Sequence, residues 1–208
     1  MYYNLLFQLH CSSSAVIMPK FSFTGMFQSI VKYKISNLVP PITVMFSQRP
    51  EAKKFDLSSL RITLSSATPL SNERFKQLTA LLPQVAIFQC YGLTEAGMVG
   101  METDGEQRDK PSVSAGVLLP GIVARVQRAD GTYAGFNEPG ELVVKTQSMA
   151  SGYSNNEEAT KETFVDGWVR TGDEVTINEN MEILIIDRLK EMLKVRGFQV
   201  APAEMGLT

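Results

Sequence analysis

The chain has 208 residues, room for one large domain or two small ones, with 44% hydrophobic and 20% charged residues. That is ordinary globular usage and excludes a disordered, collagenous or coiled-coil protein. Lysine and arginine number 20 against 22 acidic residues, so a net charge of -2 gives no general attraction to nucleic acid or anionic lipid, and neither partner is expected. Cys11 and Cys90 lie far apart and His10 is the only histidine, which leaves no zinc-ligand spacing and no expected Ser-His-Asp triad. Residues 2–9 are apolar and precede Ser12, Ser13, Ser14 and Ala15, but no positively charged segment leads them and Asn4 and Gln8 interrupt them. A secretory signal is therefore not expected. No apolar stretch approaches the roughly 20 residues that a transmembrane helix needs, and the expected setting is cytoplasmic or peroxisomal.

Along the first hundred residues, short β-rich runs alternate with helical patterns. Residues 15–18 read as a strand closed by Pro19. In 23–33, Phe23, Met26, Phe27, Ile30 and Val31 fall on one helix face. Residues 35–39 read as the next strand, and Pro40 and Pro41 suit the first turn of a helix continuing over 42–46, where a missing N–H costs nothing. A strand is expected over 61–65, then a helix capped by Ser71 with Phe75, Leu78, Leu81 and Leu82 at helical spacing, then a buried strand over 85–88. Such alternation implies a mainly parallel sheet with helices on its faces. The polar run 103–112 ends the series. Beyond it come short strands with glycine, asparagine and aspartate turns: 122–127, 141–145, then 174–177 facing 182–186. They suggest a small antiparallel barrel or sandwich. A last hairpin is expected from 192–195 and 198–200 around Arg196 and Gly197.

Four segments carry residues suited to chemistry. Gln89, Cys90, Tyr91, Gly92, Leu93, Thr94, Glu95, Ala96 and Gly97 follow a buried strand, which puts them outside the carboxyl edge of the sheet, where α/β proteins bind ligands. Ser65, Ser66, Ala67, Thr68 and Pro69 form a small-residue loop that a flat ligand can approach closely. Gly167, Trp168, Val169, Arg170, Thr171, Gly172 and Asp173 set a carboxylate at a turn, able to accept two hydroxyl hydrogen bonds from a sugar. Finally, Asp187, Arg188, Leu189 and Lys190 run into Lys194, Val195, Arg196, Gly197, Phe198, Gln199 and Val200. Taken singly, each has a plain reading: a glycine turn, a loop, an aspartate-capped hairpin, a solvated basic hairpin.

In this order and at these separations, together with Met18-Pro19-Lys20, Val39-Pro40-Pro41 and Gly152-Tyr153, the segments resemble the adenylate-forming superfamily of acyl-CoA synthetases. The resemblance is strongest to the branch that contains 4-coumarate-CoA ligase and firefly luciferase. It implies that a carboxylate attacks the α-phosphate of ATP, pyrophosphate leaves, and coenzyme A captures the acyl-adenylate. By resemblance, Tyr91 stacks on adenine with Ser66 and Ala67 on its other side, within a slot that also includes Gln89, Cys90 and Gly92. Thr94 meets a phosphate oxygen and Glu95 holds Mg2+. Asp173 and Arg188 form the ribose pair, and Lys190 takes the hinge position about which a C-terminal domain swings. Lys194 and Gln199 match positions near the acyl-phosphate, while Lys20, Arg196 and Gly197 match contacts to coenzyme A.

The fold implied is α/β: a partial parallel layer over 1–104, a small antiparallel β-barrel over 105–186, and the hinge and start of a C-terminal α+β domain over 187–208. The family's Ser/Thr-Gly phosphate loop ending in Pro-Lys-Gly has no counterpart in these 208 residues, nor has its late lysine, and His10 does not match the family's histidine. Cys90, Ser66 and Thr68 stand where relatives carry smaller residues, and bulk at Cys90 would shorten an acyl pocket. The expectation is a piece of an ATP-dependent acyl-CoA or aryl-CoA ligase, inactive alone, acting on a small carboxylic acid. The alternative is a non-catalytic nucleotide-binding or interaction module.

Overall fold

A computed structural model describes residues 10–38, 49–65, 72–102 and 114–189, and the backbone of 193–195 and 198–200. Helix α1 (Phe23–Tyr33) starts where the Ser22 side chain accepts from the Gly25 N–H at 3.1 Å and stops at Lys34, which takes the left-handed conformation at φ 52°. Its buried face, Met26, Phe27 and Ile30, is the one its apolar spacing predicts. Strand β1 (Asn37–Leu38), a 3-10 turn (Pro50–Lys54), β2 (Ile62–Ser65), α2 (Asn72–Leu81) and β3 (Ala86–Leu93) follow. β1, β2 and β3 pair in parallel, with Ser65 opposite Gln89 at the end of the ladder. One core fills this layer, centred on Phe27, Ile30, Leu60 and Leu78.

Residues 15–18 form no strand; Ile17 is 79% exposed. The apolar run is short and lacks a partner ladder, so its β propensity alone does not fix it. The expected helix over 40–46 and the Ser71 cap lie outside the described residues.

Strand β3 does more than close the parallel series. Up to Gln89 it pairs with β2, and from Cys90 onward it pairs antiparallel with β4 (Gly97–Met101). Antiparallel pairing thus begins upstream of the polar run 103–112. It continues through β5 (Ser114–Leu118), β6 (Val123–Gln127), β7 (Gly140–Lys145), helix α3 (Glu157–Thr163), β8 (Phe164–Val165), β9 (Trp168–Ile177) and β10 (Glu182–Arg188). The sheet runs in the order β1-β2-β3-β4-β5-β10-β9-β7-β6.

Seven strands, β3 to β7, β9 and β10, send Tyr91, Val99, Ala115, Val126, Leu142, Val144, Val169, Val175 and Ile183 into a single second core. A flat sheet of that many strands would be about 29 Å wide, too wide for one cluster, so the sheet curls around its contents. The hydrogen-bonded path is open among the described residues, ending at β1 and β6. A separate hairpin of β11 (Leu193–Val195) and β12 (Phe198–Val200) forms where the two apolar runs predict one, with Lys194 opposite Gln199.

Candidate functional site

Two backbone irregularities build the site. The first is on β9, where the ladder to β7 slips between Glu141 and Val143, so that Thr171, Gly172 and Asp173 stand opposite the single Leu142 in a bulge. Gly172 takes φ 71°, a conformation that a side chain disfavours. Asp173 is therefore presented from within a strand and not from a turn, contrary to the hairpin reading of 167–173. The bulge is pinned: the Thr171 hydroxyl donates to the Leu142 carbonyl at 2.8 Å and accepts from the Asp173 N–H at 3.1 Å, while the Gly172 N–H donates to Glu141 Oε1 at 3.2 Å.

The second irregularity is on β3, whose pairing with β4 slips between Tyr91 and Gly92. A Cβ at Gly92 would lie 2.6 Å from the Gly97 carbonyl oxygen, so the two strands approach only because residue 92 is glycine. The tight turn that follows holds Thr94, Glu95 and Ala96. Residues 89–93 are thus strand and not the loop expected after 85–88; the parallel ladder does end at Gln89, so they still leave its carboxyl edge.

Asp173 is 6% exposed. The Tyr91 hydroxyl donates to its Oδ2 at 2.5 Å, and the Arg188 Nε lies 3.4 Å from its Oδ1, directly across the β9–β10 ladder. Burial first, and the hydrogen bond to the Asp173 carboxylate second, push the Tyr91 phenol far above the ordinary tyrosine range. Tyr91 and Arg188 take two of about four acceptor positions on a carboxylate, leaving two for other donors. Nearby, Arg170 is bound through Nε and Nη2 to Glu141 Oε2, the former at 3.1 Å. That contact raises the Arg170 pKa and satisfies a glutamate only 8% exposed.

A cleft of about 730 Å³ gathers these groups, with Gly92, Glu95, Glu141, Tyr153, Asp173 and Arg188 in its wall. Glu95 enters it from the β3–β4 turn, its Oε1 accepting from the Tyr153 hydroxyl at 2.5 Å. Four of the expected site residues, Gly92, Glu95, Asp173 and Arg188, therefore meet in one place although they come from three motif segments. Others stand apart. Tyr91 sits behind Asp173 within the core and does not line the cleft; Thr94 is exposed on the turn; Gln89 is buried. Cys90 is half-buried, its thiol 3.6 Å from the Ser65 carbonyl oxygen, and Lys20 is exposed ahead of α1. Ser66, Ala67, Lys190, Arg196 and Gly197 lie outside the described residues, as do the side chains of Lys194 and Gln199. A larger cleft, about 870 Å³, opens between the 3-10 turn and α2, and none of the expected site residues lines it.

Sequence reasoning missed Glu141, gave Arg170 no role of its own within its motif segment, and missed the contact of Tyr153. A signal existed for the first: Glu141 is the one charge opening an otherwise apolar run, Leu142-Val143-Val144, on a strand buried along most of its length. No cluster of three metal-ligating side chains occurs among the described residues. The donor set still fits Mg2+ carried in on a nucleotide, since that ion commonly takes one or two carboxylates plus phosphate oxygens and keeps waters. Glu95, with Oε1 held by Tyr153, offers one such oxygen.

The model of the AMP-binding enzyme family matches residues 1–154. The chain belongs to this family. The chain is 40% identical over 199 residues to 4-coumarate--CoA ligase-like 3 of Arabidopsis thaliana, covering 93% of this chain and 36% of that protein. It thus spans little more than a third of that relative. Among solved structures, it is similar to an ATP-bound RpMatB-BxBclM chimera, with 27% identity and a TM-score of 0.83 over 99% of this chain and 40% of that one. It is also similar to the luciferase-like enzyme of the nonluminescent Zophobas morio mealworm, with 29% identity and a TM-score of 0.74 over 85% of this chain and 44% of that one. These likenesses bear out the resemblance drawn from the four segments, and with it the α/β fold class. No helix among the described residues is long and apolar enough to cross a membrane.

Proposed function

We propose that this chain is part of an ATP-dependent acyl-CoA or aryl-CoA ligase, which activates a small carboxylic acid as its acyl-adenylate and passes the acyl group to coenzyme A. The observation that carries this reading is the convergence of Glu95, Asp173 and Arg188 on one cleft. Asp173 accepts the ribose hydroxyls on the lone pairs that Tyr91 and Arg188 leave open. The Arg188 side chain is 65% exposed, so its guanidinium faces a nucleotide in the cleft while its Nε stays beside Asp173. Glu95 contributes one oxygen to Mg2+ bound on the phosphates; the ion supplies charge neutralisation as pyrophosphate departs. Lys194 and Gln199, opposite each other on the hairpin, act near the acyl-phosphate, and Lys190 serves as the hinge. Lys20, Arg196 and Gly197 contact coenzyme A, while Ser66, Ala67, Gln89 and Cys90 border the adenine and acyl pockets. Such chemistry suits the cytoplasm or peroxisome.

These 208 residues alone do not turn over in this reading, because they contain no Pro-Lys-Gly phosphate loop, and loss of one preorganised transition-state contact commonly costs 100-fold or more. The test is calorimetric titration of the chain with ATP and with a non-reactive acyl-sulfamoyl adenosine, beside pyrophosphate exchange over a panel of fatty and aryl acids. Binding without exchange is expected. Binding of neither nucleotide would overturn the ribose and metal assignments, and exchange by the 208-residue chain would overturn the requirement for further residues.

A further inference from the structure

The segment leading into α3 is fastened to the turn that carries Glu95 at three points. The Ser148 hydroxyl donates to the Ala96 carbonyl at 2.8 Å, the Ala150 N–H donates to the Glu95 carbonyl at 2.8 Å, and the Tyr153 hydroxyl donates to the Glu95 carboxylate at 2.5 Å. The first two fix the backbone of the turn and the third fixes the end of the side chain. The mount is itself braced. The Tyr153 N–H donates to Thr160 Oγ1 at 2.9 Å, and its ring meets that of Phe164 edge-on at 5.8 Å. Helix α3 is capped by Asn156, whose side chain accepts from the Ala159 N–H at 3.1 Å. Gly152 has φ 147°, and a Cβ there would come within 2.7 Å of Thr160 Cγ2, so the approach of residue 153 to the helix depends on glycine.

We infer that Tyr153 is a positioning residue: its hydroxyl holds one Glu95 oxygen so that the other faces the cleft as a single, fixed ligand for a nucleotide-borne divalent cation. This rests on the reading of Glu95 given above and assigns a role that the four motif segments do not contain. Two features make the hydroxyl, and not merely the ring, the working part. A glutamate has three rotatable bonds, and on a turn with solvent on one side nothing else among the described contacts of its carboxylate selects one rotamer. The partner atom is a neutral donor, which orients the carboxylate without cancelling its charge as an arginine or lysine would.

The test separates cation from nucleotide. Mn2+ binding to the wild-type chain, Tyr153→Phe, Glu95→Gln and the double variant is followed by electron paramagnetic resonance with ATP present, and ATP binding is measured calorimetrically in EDTA. Phenylalanine keeps the ring on Phe164, so unfolding temperature serves as the check on structure. The expected result is Mn2+ affinity about tenfold weaker in Tyr153→Phe, as for loss of a hydrogen bond to a charged group, with metal-free ATP affinity unchanged. The double variant should bind Mn2+ no more weakly than Glu95→Gln alone, since the hydroxyl acts only through that carboxylate. Wild-type Mn2+ affinity in Tyr153→Phe, or additive losses in the double variant, would overturn the positioning role while leaving the nucleotide site standing. Failure of the wild-type chain to bind ATP with or without metal would overturn the nucleotide site and this inference with it.

Discussion

The parallel layer and the curled antiparallel sheet share strand β3 but are built on opposite principles. The core of the first is apolar side chains from helices and strands, Phe27, Ile30, Leu60 and Leu78, and its buried polar groups, Thr63 and Ser65, are uncharged. The second encloses an equally apolar core yet keeps the two buried carboxylates among the described residues, Glu141 and Asp173, each held by named partners. A buried carboxylate is costly unless paired and hydrogen-bonded, so such groups persist where a ligand needs fixed acceptors. The helices stabilise the scaffold, and the bulges and tight turns of the antiparallel part aim the chemistry.

The largest expected effect falls on those irregularities. Gly116 in β5 has φ 84°, and a Cβ there would stand 1.9 Å from the Met101 carbonyl carbon, a backbone atom that cannot step aside. Gly116→Ala should cost more than about 4 kcal/mol and leave the antiparallel region unfolded. The only tryptophan, Trp168, begins β9, so its emission reports on this region. A soluble variant with wild-type emission and an unchanged unfolding temperature would show that β4 and β5 do not pack this way.

Next in size is Phe27→Ala, which removes a fully buried ring from the first core at about 3–5 kcal/mol. If the two cores are separate units, helical circular dichroism should melt earlier than in the wild type while Trp168 emission keeps its transition. Coincident shifts of both signals would show instead that β3 couples them into one cooperative unit.

The same contrast explains what could be read from the sequence. Helix α1 was legible because Met26, Phe27 and Ile30 repeat at helical spacing; its bounds, Ser22 and Lys34, came from the structure. Strands β6, β7 and β10 were legible from their β-branched runs and turn residues. Strands β4 and β5 were not, for Gly97, Gly100 and Gly116 carry no side chain to betray alternation. Helix α3 buries no residue at all and so has no periodicity to find. Within the site, motif order pointed to Glu95, Asp173 and Arg188. Their neighbours Glu141 and Arg170 are brought close by the pairing register of β7 and β9, and Tyr153 by the hydrogen bonds that fasten its loop to the Glu95 turn, not by any pattern of composition.

A smaller effect is expected on ligand affinity. Asp173→Asn keeps the shape and the Tyr91 contact but removes the charge that Arg188 faces and a charged acceptor for ribose. Hydrogen bonds to charged groups are worth roughly 1.5–3 kcal/mol, so ATP should bind about 10-fold to 100-fold more weakly in calorimetry. Phe27→Ala, distant from the cleft and in the other core, should change ATP affinity by no more than about twofold while folded. Equal losses from both substitutions would dissolve the division between scaffold and site.

The smallest effect is on the pH dependence of stability, and it belongs to Tyr91. Its folded pKa lies above the unfolded value of about 10, through burial and through the carboxylate of Asp173. The stabilisation tied to its proton is thus complete below about pH 10. It fades as pH rises beyond that, because the unfolded phenol releases a proton which the folded one retains. Between pH 10 and 11 this one group should lower the unfolding free energy by about 1 kcal/mol, and Tyr91→Phe should remove that component of the slope. Urea unfolding followed by Trp168 emission at pH 8, 10 and 11 measures it. Tyr153, held by Glu95 at the exposed rim of the cleft, has a pKa raised in the same sense. The solvent-accessible pair should yield a shallower slope than the buried one. If Tyr91→Phe left the alkaline slope untouched while Tyr153→Phe abolished it, the Tyr91–Asp173 hydrogen bond would not be the buried anchor of the site, and the contrast between a sealed second core and an open rim would fail.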